Sequence, residues 1–215
     1  MSYRRWLALC GVAAALLVPL GVFVVGGSTP DDKASGDEVV SFYRDHLAAN
    51  RVAALMVVIG AALLVLFGVR LRELLDGDGP GANSFSLAAF GGAVLTSAGL
   101  LHAAAGHFAL VDASDHQFAA SAQTLNVLDT RSFFGIVGGF AVLFLAAGIA
   151  TVRHPVLPRW LGWAAIVIGV LSVAGPIGGL GFVLGLVWLL VVGIITFLRA
   201  DDIPATVVVE IAIEP

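Results

Sequence analysis

Apolar residues fall along this chain in long runs separated by short polar or basic stretches. The clearest unit lies between Asp129 and Gly178. Phe133 to Val152 carries no charge, and neither does Trp160 to Gly178. Between them, Arg153-His154-Pro155-Val156-Leu157-Pro158-Arg159 is a turn with two prolines and two arginines. About 20 apolar residues are enough to cross a hydrocarbon core of roughly 30 Å. Inside lipid the backbone must bond to itself, so each run is expected to be a helix. The pair is therefore an antiparallel hairpin of spans.

The rest of the chain follows the same pattern. Six transmembrane helices are predicted, near residues 5–25, 51–75, 84–110, 121–152, 159–176 and 180–199. Pro19 should kink the first of them. The stretch from Gly26 to Asn50 is too polar to span. Within it, Ser35 and Glu38 match a capping box. Val39, Val40, Tyr43 and Leu47 follow on one helical face. A short amphipathic helix over 36–49 is expected, lying on the outer membrane surface or capping the bundle. Gly77-Asp78-Gly79-Pro80-Gly81 and Ala174-Gly175-Pro176-Ile177-Gly178-Gly179 read as turns. Asp112, Asp115 and His116 are assigned to an outer loop. Residues 201–215 are a short tail after one domain, residues 1–200. The fold class is all-α, a polytopic membrane helical bundle.

Composition supports this pattern. Of 215 residues, 59% are hydrophobic and 12% charged, with a mean hydropathy of +1.00. A soluble domain carries about 25% charged residues. The net charge of −4 comes with no basic tract, so no nucleic-acid partner is expected. Cys10 is the single cysteine, which excludes an intrachain disulfide. Arg4 and Arg5 before an apolar run resemble a signal peptide. The run to Val25 exceeds the about 7–15 residues of a signal core, so an uncleaved first helix is expected.

Charge also orients the bundle. With both termini inside, Arg4, Arg5, Arg70, Arg72, Arg153, Arg159 and Arg199 are cytoplasmic. Lys33, Arg44, Arg51 and Arg131 remain outside. That bias follows the positive-inside rule and implies a multi-pass protein of the cell membrane. Membrane lipids are the expected partners; a protein partner or a second copy is left open.

An ionisable side chain at bilayer depth would mark a transport pathway. The first, second, fifth and sixth spans have none between their ends. Polarity gathers on the outer side instead, at His102, His107, Asn126, Asp129 and Arg131. These are the candidate ligand-binding residues. Gln123, Asn126 and Asp129 drift by about 60° per step on a helix, so they can line a common groove. His102 and His107 are five apart and do not share a face. No HExxH or CxxC spacing appears, and neither a metal site nor a cofactor is assigned. No Ser-His-Asp set or phosphate loop is visible, so the chain is not read as an enzyme. Gly135-x-x-x-Gly139 and Gly181-x-x-x-Gly185 are close-packing patterns, read as internal. Trp6, Trp160, Trp163 and Trp188 are placed in an aromatic belt.

Phe133-Phe134-Gly135-Ile136-Val137-Gly138-Gly139-Phe140, then Val156-Leu157-Pro158-Arg159-Trp160-Leu161-Gly162, and Asn50-Arg51-Val52 resemble a bacterial family of multi-pass membrane proteins, the DUF4386-like group. The resemblance covers most of the chain. It implies an integral membrane protein and supplies no catalytic residues. Composition alone suggests a high-GC bacterial source. Two functions stand on these observations. One is a non-enzymatic structural or accessory envelope protein. The other is a transporter or sensor of a small molecule or lipid headgroup, using the outer polar cluster. A solid Gly/Ala-packed bundle favours the first; a cavity open at the outer face and lined by His102, His107, Asn126 and Asp129 favours the second.

Overall fold

The computed structural model describes residues 2–76, 82–174 and 178–200. Helices over these residues are α1 (Tyr3–Pro19), a π-helical segment (Leu20–Val25), α2 (Gly36–Asp45), α3 (Leu47–Leu75), α4 (Ala82–Asp115), α5 (Ala119–Arg131), α6 (Phe133–Arg153), α7 (Arg159–Ser172) and α8 (Gly178–Leu198). No strand occurs among the described residues. The fold is all-helical, with 5 helical stretches long and apolar enough to cross a membrane. α7, with 14 residues, is shorter than these. The turns expected around Gly79 and Pro176, and the tail from Asp201, fall on residues outside those described.

Several boundaries differ from the sequence expectation for local reasons. Pro19 has no N–H to give, and the helix after it widens to the π form. The N–H of Gly26 then bonds the carbonyl of Gly21, five residues back. α4 runs on through Asp112 and Asp115, which were expected in a loop. Leu110, Val111 and Ala113 are buried against Val39 and Tyr43 of α2, and that burial favours extending the helix. The chain turns only at Gln117, whose φ is 60°. The expected fourth span is divided at Ser132 into α5 and α6. Ser132 Oγ donates to the main-chain oxygen of Asp129 at 2.6 Å, competing with the helical ladder there.

The amphipathic helix is α2, shorter than expected at its end. The Ser35 hydroxyl accepts the N–H of Glu38 at 3.3 Å, the expected cap. α2 sits on the ends of α4 and α5, closing one end of the bundle. We call this the cap end. At the opposite, arginine end, Arg153 stacks on Phe85 and Arg5 on Phe197. Arg70, counted with the basic residues of this end, is buried at 1% exposure and held by Glu73 at 3.3 Å.

The bundle core is tightest toward the arginine end. Phe140, Phe144 and Trp188 form an edge-on chain with centroids 4.9 and 5.2 Å apart. Trp188 is buried and donates Nε1–H to the Leu161 carbonyl at 2.9 Å, so it is no belt residue. Trp6, Trp160 and Trp163 are exposed. Both small-residue patterns pack inside the chain: Gly139 lies on the backbone of Leu95 and Thr96, and Gly185 on Phe140 and Phe144.

Candidate functional site

The cap end holds the polar residues that the sequence singled out, but it distributes them. α4 carries His107 and α5 carries Asp129, and these two meet. His107 Nδ1 is 3.1 Å from Asp129 Oδ2. The other ring nitrogen, Nε2, is 3.2 Å from Asn50 Oδ1 on α3. The Asn50 amide is oriented by its Nδ2, which donates to the His46 carbonyl at 3.0 Å. Turning the amide over would set two oxygens against each other, so Oδ1 faces the imidazole. Asn50 thus ties a third helix into the pair.

Tyr43 of α2 packs edge-on against His107, with centroids 5.6 Å apart. Its hydroxyl is buried without a hydrogen-bond partner. Burial, together with the nearby charge of Asp129, pushes the phenol well above its ordinary pKa. It therefore stays a neutral donor.

Asn126 and Arg131 face the chain's own loop. Asn126 Nδ2 donates to the Asp31 carbonyl at 2.9 Å, and Gln123 Nε2 to the Ala34 carbonyl at 3.3 Å. Arg131 Nη2 is 3.0 Å from Asp32 Oδ2. The groove expected along Gln123, Asn126 and Asp129 is occupied at its first two positions by residues 31–34. The Asp31 carboxyl is held below the usual range, first by the Lys33 N–H and then by Asp32. Arg51 bonds both Asp112 and Asp115 at 3.2 Å. His102 lies on the exposed side of α4 and takes no part in the cluster.

Beneath the His107–Asp129 pair lies a cavity of about 770 Å³. Its walls come from the π-helical segment, α3, α4, α6 and the start of α8. The space exists because the facing residues are small, notably Gly21, Ala53, Ala54, Ala103 and Ala104. Its lining is otherwise mostly apolar, with His107, Asp129 and Ser132 at one corner. It reaches the surface beside Phe23, Phe134 and Val173, which are exposed. Well-packed interiors rarely keep voids larger than a water molecule. A space of this size falls in the range of about 300–1,000 Å³ that holds one small ligand.

Asn50 and Tyr43 were missed by the sequence reading. Asn50 carried a signal: an amide at the very head of an apolar run. Tyr43 looked like an ordinary apolar-face residue. Among the described residues, no three His, Cys, Asp or Glu side chains gather as a metal site. The chain matches no protein-family model, no curated protein and no solved structure.

Proposed function

We propose that this chain is a multi-pass protein of the cell membrane that binds a small amphiphile in its outer half, as a carrier or sensor rather than as a catalyst. The observation that carries this reading is the cavity: apolar walls, a polar corner at His107 and Asp129, and a sideways opening. An amphiphile suits such a shape, since each part of it meets matching surface. A purely structural bundle has no use for a space this large. The lining serines favour binding over chemistry. Ser132 and Ser172 each donate to a main-chain carbonyl of their own segment, and neither is bonded to a base.

In this reading α1 with its π segment, α3, α4, α5–α6, α7 and α8 are six spans, and α2 is an outer lid. α7 rises about 21 Å at 1.5 Å per residue, short for a span, and it is flanked by the longer α6 and α8. The arginine end faces the cytoplasm, as the basic residues favour. Both termini are then inside. The likeness to the DUF4386-like group is part of the same proposal and adds no substrate.

The test fills the cavity. Ala54→Phe and Ala104→Phe each add a ring to its wall. With the purified protein in detergent, binding of a fluorescent single-chain lipid should fall at least about tenfold while the elution profile stays unchanged. Undiminished binding in both variants sinks the proposal. Reporter fusions after Pro155 and after Ala200 should report cytoplasm, and a signal from outside rejects the orientation.

A further inference from the structure

The hydrogen-bonding state of the cavity's polar corner says what kind of head fits there. This inference rests on the amphiphile reading above and narrows it. Each donor at the corner is already engaged. Whichever ring nitrogen of His107 carries a proton, it faces an acceptor in place, Asp129 Oδ2 or Asn50 Oδ1. Ser132 gives its hydroxyl proton to the Asp129 carbonyl, and Ser172 gives its own to Ile168. The Tyr43 hydroxyl lies outside the cavity lining. Thr29 adds a hydroxyl only at the exposed rim.

Acceptors, in contrast, are left over. Asp129 Oδ1 has no hydrogen-bond partner among the described residues, and a carboxylate oxygen can only accept. The Ser132 oxygen also keeps lone pairs. Among the described residues, no arginine or lysine lines the space. At the cap end Arg51 is committed to Asp112 and Asp115 and Arg131 to Asp32, and neither Lys33 nor Arg44 lines the cavity. A phosphate or carboxylate head would bring more acceptors to a corner that already has an excess, with no guanidinium to receive them.

We infer that the cavity selects a single-chain amphiphile whose head donates hydrogen bonds, a hydroxyl or a primary ammonium, and that it discriminates against acidic heads. The donor bonds Asp129 Oδ1 and Ser132 Oγ while the tail lies along Ala53, Ala104 and Ile136 toward the opening. Discrimination arises because a misplaced acceptor leaves buried lone pairs unpaired on both sides, a loss that binding elsewhere does not recover.

The test is a competition on the full chain in non-ionic detergent. The micelles contain equimolar monoacylglycerol, sphinganine, fatty acid and lysophosphatidate, and native mass spectrometry reads which remain bound. Monoacylglycerol and sphinganine separate a hydroxyl head from an ammonium head. The expected result is retention of one or both, at least about tenfold over the two acids. Asp129→Asn should erase any preference for sphinganine over monoacylglycerol. Should that variant fold poorly, the wild-type competition decides alone. Retention of all four to the same extent overturns the head preference and leaves the cavity reading standing. Preference for the fatty acid or lysophosphatidate overturns the inference outright. No retention of any of the four overturns the cavity reading and this inference with it.

Discussion

Around Phe67, Phe140, Phe144 and Trp188 the helices meet ring against ring or ring against glycine. Around Ala53, Ala54, Ala103 and Ala104 a cavity opens between them, although Gly21 still lies on the Ala53 backbone. The same bundle is thus filled toward the arginine end and hollow toward the cap end. Polarity divides the same way. Side chains at the arginine end mainly serve helix ends and stack on rings, with Tyr3 to Glu73 and Trp188 to Leu161 as bonds across elements. Those at the cap end bond across elements: His107 with Asp129 and Asn50, Asn126 with the loop, Arg51 with α4. In lipid, helices gain no hydrophobic attraction for one another, so close packing and polar bonds must hold them. One half relies on packing. The other keeps close contacts, such as Gly99 on Gly135, but opens a cavity between them and adds bonds across elements.

The comparison also dissolves an apparent choice. A polar cluster can lock helices together or form a site. α5 supplies both kinds of contact at successive turns: Gln123 and Asn126 hold the loop, and Asp129 lines the cavity.

The largest effect should come from adding a methyl group to the packed half. A β-carbon on Gly92 would meet the backbone of Leu143, while one on the neighbouring Gly91 has nothing within 4 Å. Backbone cannot swing aside as a side chain can. Gly92→Ala should cost about 3 kcal/mol, the upper end of overpacking, and Gly91→Ala almost nothing. Thermal unfolding followed by size-exclusion in detergent measures both. Equal stability of the two variants would show that the close approach of α4 and α6 is not what holds this half.

His107→Ala should come next, at about 2 kcal/mol. It removes the donor from a carboxylate whose side chain is 21% exposed. A cycle with Asp129→Ala separates their coupling from the rest, and zero coupling breaks the idea that bonds add to packing here.

The long apolar helices were legible because uninterrupted apolar runs of that length favour a helix. The Ser35 cap was legible because it is local. His107 and Asp129 were both placed at the cap end, since each interrupts an apolar surface. Their pairing was not legible. It depends on the turn at Gln117, which folds α5 back along α4. The burial of Arg70 was likewise decided by tertiary neighbours, and the split at Ser132 by a local side-chain bond that the apolar pattern does not announce. The cavity left no signal at all. Alanine and glycine read the same whether they admit a neighbouring helix, as Gly92 does, or leave a gap, as Ala104 does. His102 misled for a related reason: polarity by itself does not say which face of α4 turns inward.

The smallest effect, and the last test of the contrast, sets Asn126 against Arg131. Both reach from α5 to the loop, five residues apart, at 2.9 and 3.0 Å. Distance alone would rank them equal, with the charged pair ahead. Burial reverses that order. Asn126 is 2% exposed, so Asn126→Ala takes one of two donors from the Asp31 carbonyl, leaving only the Ala34 N–H, in a site that water reaches poorly, a loss of about 1 kcal/mol. The Arg131 side chain is 60% exposed, so water already competes for both charges and salt screens them. Arg131→Ala should therefore cost less than about 0.5 kcal/mol at physiological ionic strength. What remains should vanish in high salt, whereas the Asn126 effect should not change. Chemical denaturation of both variants at low and high salt reads the difference. If Arg131→Ala proves the more damaging at either ionic strength, the loop is held by charge at the surface, and buried bonds are not what secures the hollow half.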